Sequence, residues 1–170
     1  MEVDTDSLYT NPIYKDYNFN DILNYMSEWT WQEMKIGLKY KIITYEEVID
    51  YAKFILDDQR DNYELVLELI ISEDVCYEAL IDELICLEKA EEVQNIMDKW
   101  CFSMLFQLYL NKFLYNNVYE KIAEIGADFN HPKYMDDFIY YMPSDGIDLE
   151  ASWIGYLKKQ CIRFHIDCPF

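Results

Sequence analysis

The sequence predicts an all-α fold of about eight short helices, arranged in antiparallel hairpins with one central buried helix near 95–110. Apolar residues recur at helical spacing in most segments, and residues that cap helices precede several of these segments. Turn formers are also scarce, since the 170 residues include only 4 Gly and 4 Pro. Short connections favour antiparallel neighbours, which leaves a small α-solenoid open as an alternative arrangement.

Capping residues mark the first predicted helices. Asn18 or Asn20 can begin a short helix that ends near Tyr25. Thr30 and Thr44 each precede a Glu by three residues, which is the spacing of a capping box. The apolar residues that follow Thr44 fall on one helical face, and this pattern predicts an amphipathic helix.

The next segment predicts a helical hairpin. Asp61 or Asn62 can begin a helix that runs to Ile71. A cap within 72–74 can begin the following helix, which would end near Leu87.

A longer helix is expected to begin near Ala90 and to run toward Leu110, with Asp98 as a point where it could break. Its apolar residues cover almost the whole circumference. Such a helix is usually central to a fold.

The last third of the chain predicts three more helices. Asn116 or Asn117 can cap a helix through Ile125, with Gly126 as its left-handed end. Pro132 fits the first turn of a helix over 132–141.

A turn at 143–146 separates that helix from the last one, which Asp148 can cap. In this last helix Trp153, Leu157 and Cys161 share one face. We therefore expect residues 1–17 to form a loose N-terminal arm and residues 18–170 to form a single helical domain.

Charge narrows the classes of function. The chain carries 14 Lys+Arg and 33 Asp+Glu, a net charge of −19. This charge disfavours binding to nucleic acid and to anionic membranes, and it favours a basic protein partner. The N-terminus lacks the basic and apolar regions of a signal peptide, so we expect a cytoplasmic protein with mostly buried free thiols.

The acidic residues are concentrated in one part of the chain. Residues 57–98 hold 14 acidic and 2 basic residues, a net charge of −12. Like charges one helical turn apart destabilise a helix, so their density indicates a docking surface, although a solvated surface that maintains solubility is the plain alternative. The candidate partner-binding residues are Asp57, Asp58, Asp61, Glu64, Glu68, Glu78, Asp82 and Glu83.

Other site chemistries have weaker support. Cys161, His165 and Cys168 have a spacing related to zinc sites, but a fourth ligand is missing and Cys161 fits the apolar face of its helix. His131 follows Asp128 closely, which could serve acid–base chemistry, but the local sequence is better interpreted as the entry to the next helix, with Asn130 or His131 near the cap. No phosphate loop, nucleophile elbow or dinucleotide fingerprint is present. We expect no enzyme activity, no cofactor and no metal.

Two segments carry a resemblance to a known family. Residues 31–50 (WQEMKIGLKYKIITYEEVID) and 125–143 (IGADFNHPKYMDDFIYYMP) resemble a family of small bacterial proteins described as a domain of unknown function. The resemblance covers about residues 28–145, and the chain departs from it at Gly126, where an aromatic residue is expected.

Small acidic single-domain proteins of this kind resemble immunity proteins of polymorphic toxin systems. The resemblance implies a protein that binds and neutralises a cognate basic toxin, of which a nuclease is the expected type. The alternative function is a helical adaptor that has no toxin partner.

Overall fold

The structure, a computed structural model, describes residues 12–72, 77–142 and 146–170. Within these ranges it contains eight α-helices and no strand, which confirms the predicted all-α class. Single 3-10 turns lie at Lys112–Leu114 and Lys133–Met135. The helices are α1 Phe19–Leu23, α2 Trp31–Lys39, α3 Tyr45–Ile55, α4 Tyr63–Ile71, α5 Tyr77–Cys86, α6 Val93–Leu110, α7 Val118–Asp128 and α8 Leu149–Arg163.

Helix α6 is the centre of the fold, as the sequence predicts. It packs against α1, α2, α7 and α8, whereas a solenoid helix contacts only its neighbours in the row. Every residue from Trp100 to Leu108 is buried. The expected break at Asp98 is wrong, because α6 is continuous through this residue. The Asp98 carboxylate accepts hydrogen bonds from Gln94 Nε2 at 2.9 Å and from Arg163 Nη1 at 3.3 Å.

The predicted caps explain where four helices begin. Thr30 and Thr44 form complete capping boxes with Glu33 and Glu47. Asp148 accepts hydrogen bonds from two amides of the first turn of α8, and Asn18 caps α1. These beginnings were predictable because each depends on residues within four positions of one another.

Helix α2 has a second cap, which comes from the distant end of α5. The carboxylate of Glu88 accepts hydrogen bonds from the amides of Trp31 at 2.7 Å and Gln32 at 3.2 Å. Gln32 Nε2 in turn donates to the carbonyl of Lys89 at 2.7 Å. These contacts fix the end of the α4–α5 hairpin against the body of the domain.

The described part of the predicted arm, residues 12–17, lies against the helices. Tyr14 is buried, and its amide donates to Asp128 Oδ2 at 2.9 Å. The hydroxyl of Tyr17 lies 2.9 Å from Ser103 Oγ on α6. Polar side chains of α6 and α7 therefore hold this segment in place.

Two expectations for 126–141 are wrong. Gly126 lies inside α7, and Asn130 (φ 58°) is the left-handed residue after this helix, with the amide of His131 bonding back to the carbonyl of Gly126 at 2.7 Å. Gly126 is small for a packing reason, because a Cβ at this position would lie 3.0 Å from Ile139 Cδ1.

No α-helix forms over 132–141. Pro132 is extended, and a single 3-10 turn follows it. The irregular path of the chain after this turn buries Met135, Phe138 and Ile139 together. The described ranges do not include residues 1–11 of the predicted arm, residues 73–74 of the predicted α5 cap, or residues 143–145 of the predicted turn.

Candidate functional site

The structure places the eight predicted acidic residues on three consecutive elements. We call this set the acidic surface. Helices α3, α4 and α5 pack side by side in sequence order. All eight residues are exposed, and the α3–α4 connection carries three of them, α4 two and α5 three: Asp57, Asp58, Asp61, Glu64, Glu68, Glu78, Asp82 and Glu83.

Three residues of the acidic surface make local side-chain contacts. Lys35 of α2 forms an ion pair with Asp82. Arg60 lies 4.0 Å from Asp57, and this pair is exposed and weak. Asp58 accepts a hydrogen bond from Gln59 Nε2 at 2.8 Å.

The other acidic residues have no such contact. Asp61, Glu64, Glu68, Glu78 and Glu83 make neither an ion pair nor a side-chain hydrogen bond to any residue that the structure describes. The pairs Glu64–Glu68 and Glu78–Asp82 are each one helical turn apart, so they repel one another along α4 and α5. Five carboxylates therefore remain available to an external cation.

Exposed apolar side chains lie at the ends of the same helices. Phe54 is 57% exposed at the end of α3, Ile71 is 67% exposed at the end of α4, and Leu87 is 62% exposed just after α5. Protein interfaces combine aromatic or aliphatic anchors with a polar rim. The hairpin thus offers both components of a protein contact, which the sequence indicated only for the charges.

A groove lies beside the acidic surface. It consists of two adjoining cavities of about 400 and 460 Å³, which share Ser27, Glu28, Lys99 and Phe164. Two of its cations are held in ion pairs, since Arg163 bonds Asp98 and Lys99 bonds Glu33. Arg60 is paired only weakly with Asp57.

Sequence reasoning missed the buried ion pair at the floor of this groove. Lys99 Nζ lies 2.8 Å from Glu33 Oε2 and 4.4 Å from the centre of the Trp29 ring. Burial raises the pKa of Glu33, and the charge and hydrogen bond of Lys99 oppose that rise. The available signals were a Lys within a nearly all-apolar helix and the capping-box role of Glu33.

The described histidines and cysteines form no metal-binding cluster. In the described ranges, no group of three or more His, Cys, Asp or Glu side chains could hold a metal ion, and this includes Cys161, His165 and Cys168. His131 Nδ1 lies 3.4 Å from the hydroxyl of Tyr141. Among the described residues, no hydrogen bond joins His131 to a Ser or Cys side chain or to a carboxylate.

Among the described residues, no helix is both long and apolar enough to cross a bilayer.

Comparison with known proteins gives one result. The family model described as "Uncharacterized protein conserved in bacteria (DUF2247)" matches residues 19–161. No curated protein and no solved structure matches the chain. Because the match covers most of the sequence, the chain belongs to the bacterial DUF2247 family.

Proposed function

We propose that this chain is a bacterial immunity protein that binds a basic toxin domain, of the nuclease type, and blocks it. One observation carries the proposal: the acidic surface exposes five carboxylates that make neither an ion pair nor a side-chain hydrogen bond to any described residue. The resemblance of the sequence to small acidic immunity proteins supplies the type of partner.

The physics of association supports such a role. A net charge of −19 attracts a basic partner over several ångströms and accelerates encounter at low salt. The carboxylates of α4 and α5 would pair with the Lys and Arg side chains that a nuclease uses to hold phosphates. Burial of Phe54 or Leu87 would then set the dissociation rate.

A cytoplasmic location is part of this proposal. The described cysteines, which are Cys86, Cys101, Cys161 and Cys168, are all free thiols. Free thiols are usual in a reducing compartment.

The first experiment is a pull-down of the tagged protein from its native host, washed at low and then at high salt. We expect one basic partner to remain at high salt, because desolvated contacts are screened less than surface charges. That partner is then assayed for nuclease activity with and without the protein. Loss of every partner at moderate salt would contradict the proposal, and a retained partner without toxic activity would favour the adaptor.

A charge-reversal pair tests the position of the docking surface. The triple variant Glu68→Lys, Glu78→Lys and Glu83→Lys changes acidic residues that have no local partner, and it leaves the Lys35–Asp82 pair intact. We expect association with the captured partner to slow by at least about tenfold at low salt.

The matched control reverses three exposed acidic residues elsewhere, namely Glu120, Asp137 and Asp167. It changes the net charge by the same amount. If both triple variants slow association equally, the total charge matters and the acidic surface is not the docking site.

A further inference from the structure

A cavity of about 550 Å³ lies between the N-terminal segment and the turn that joins α2 to α3. Three separate parts of the chain contribute to its walls: Pro12 and Tyr17 from the segment, Ile42 from the turn, and Met104 from α6. Ligand sites in proteins usually have volumes of about 300–1,000 Å³, and their mainly apolar walls carry a few polar groups. The cavity therefore has the size of a site for a small organic molecule.

Two lysines from distant positions in the sequence also line this cavity. Both Lys15 and Lys41 are exposed, and neither makes an ion pair or a side-chain hydrogen bond to any residue that the structure describes. Asp16, which adjoins Lys15 in sequence, lies 3.7 Å from Lys121 instead. Two cations thus share one cavity, and both are available to an anionic ligand.

The negative charge at this cavity is already engaged by the backbone. Among the described residues that line the cavity, Glu47 alone is acidic. Its Oε1 accepts a hydrogen bond from the amide of Phe19 at 3.3 Å, and its Oε2 accepts one from the amide of Thr44 at 2.8 Å. The lining therefore has an excess of one positive charge in a chain whose net charge is −19, which distinguishes it from the acidic surface.

The end of α2 fixes the backbone of Lys41 beside the cavity. Its φ is 57°, its amide donates to the carbonyl of Leu38 at 3.1 Å, and the amide of Ile42 donates to the carbonyl of Gly37 at 2.8 Å. These bonds form a Schellman motif, in which the left-handed position is usually glycine. The substitution Lys41→Gly therefore removes the cation and keeps a backbone that suits the turn.

Polar contacts hold the N-terminal wall of the cavity in place. The hydroxyl of Tyr17 lies 2.9 Å from Ser103 Oγ. The amide of Asn18 donates to Gln107 Oε1 at 2.9 Å, and Gln107 Nε2 donates to the carbonyl of Asn18 at 2.6 Å. Because this wall is already ordered, a ligand would bind with little cost in conformational entropy.

We propose that this cavity binds a small organic phosphate of mononucleotide size, whose phosphate group is held by Lys15 and Lys41. A lysine ammonium group binds phosphate as a compact point charge, and one phosphate dianion satisfies two of them. The organic body lies against the apolar side chains of Pro12, Ile42 and Met104. The inference is independent of the proposed immunity function, because the cavity and the acidic surface share no residue.

The experiment is titration calorimetry of the full chain with four probes, namely AMP, GMP, CMP and UMP. Two matched compounds separate the parts of the ligand, since adenosine lacks the phosphate and inorganic phosphate lacks the organic body. We expect at least one mononucleotide to bind at least about tenfold more tightly than its own nucleoside and than inorganic phosphate.

Three variants locate the site, and thermal unfolding of each variant verifies its fold. Lys15→Met and Lys41→Gly should each weaken binding of that mononucleotide by at least about tenfold, because each removes one charge-assisted contact. The control Lys158→Met removes an exposed lysine of α8 that does not line the cavity, and it should leave the affinity unchanged.

Four results would overturn the proposal. In the first, none of the four mononucleotides binds the wild type. In the second, adenosine or inorganic phosphate binds as tightly as the mononucleotide, so that one half of the ligand contributes nothing. In the third, neither cavity variant weakens binding, which places the site elsewhere. In the fourth, Lys158→Met weakens binding as much as the cavity variants do, which attributes the effect to net charge.

Discussion

The buried ion pair between Glu33 and Lys99 allows a quantitative test of how this fold is held together. The side chains are 3% and 13% exposed, respectively. Glu33 Oε2 accepts two hydrogen bonds at 2.8 Å, one from Lys99 Nζ and one from the backbone amide of Thr30. The substitution Lys99→Met keeps the apolar stem and removes the charge, so it leaves Glu33 as an uncompensated buried carboxylate.

The expected loss is large. Removing one partner of a buried pair typically destabilises a protein by about 3–5 kcal/mol, because the remaining charge is desolvated without compensation. In the double variant Lys99→Met with Glu33→Gln, the Gln side chain can still accept the Thr30 amide and complete the capping box. We therefore expect the double variant to lie within about 1–2 kcal/mol of the wild type.

The pH dependence follows from the raised pKa of Glu33. A carboxyl group whose pKa is raised by folding contributes most stability below its ordinary value of 4.5, and this contribution is lost as pH rises through the folded value. Without Lys99 the rise in pKa becomes larger. The deficit of Lys99→Met relative to the wild type should therefore shrink as the pH falls from neutrality toward about 5.5.

The assay is urea unfolding of the wild type, both single variants and the double variant, followed by tryptophan fluorescence. The rings of Trp29 and Trp100 lie 4.4 Å apart beside the ion pair and report directly on this region. The double-mutant cycle yields the coupling free energy. A loss below about 1 kcal/mol for Lys99→Met, or a double variant as unstable as the sum of the singles, would refute the reasoning.

Two further predictions concern the backbone. Gly37→Ala should lower the free energy of unfolding by about 1–3 kcal/mol, because the new Cβ would lie 2.7 Å from Trp100 Cζ2 and 2.9 Å from Ile43 Cγ1. The matched substitution Gly155→Ala in α8 places its Cβ more than 4 Å from any atom beyond its chain neighbours and the backbone of its own helix, so it should raise the free energy of unfolding by about 0.5–1 kcal/mol. Equal effects of the two substitutions in thermal unfolding would contradict this account. Lys41 has a left-handed backbone, with φ 57°, just after α2. The substitution Lys41→Gly should therefore stabilise the protein by up to about 1 kcal/mol, as measured by urea titration. A clear loss of stability would show that contacts of the Lys side chain outweigh its backbone strain.

The sequence predicted best the features that depend on neighbouring residues. The capping boxes at Thr30 and Thr44 needed only a Glu three positions later, and the local bonds formed as expected. The apolar circumference of 95–110 likewise identified the central helix, because no other location could bury all of its faces. The exposure of the predicted acidic residues was also predictable, since unpaired carboxylates are rarely buried.

The failures occurred where distant residues decide the conformation. Residues 132–141 have helical spacing, yet burying Met135 and Ile139 against the body favours an irregular turn. The Glu33–Lys99 pair joins residues 66 positions apart, and the Lys35–Asp82 pair joins residues 47 apart. Local periodicity contains no information about such contacts. The sequence therefore indicated which acidic residues are exposed, but it did not indicate that Lys35 pairs with Asp82.

The charges that hold the fold together are separate from those that form the acidic surface. Glu33 and Glu88 each satisfy amides at the start of α2, and a substitution there would disturb the core. The side chains of Glu68 and Glu78 make no ion pair or hydrogen bond to any described residue, and each like-charge pair along α4 or α5 costs only about 0.2–0.5 kcal/mol. Burial of a single large apolar side chain contributes about 1.5–3 kcal/mol, so the core tolerates this repulsion. Because folding does not require these carboxylates, their concentration on three consecutive elements is consistent with the proposed docking of a basic partner, and the charge-reversal variants distinguish this role from solubility alone.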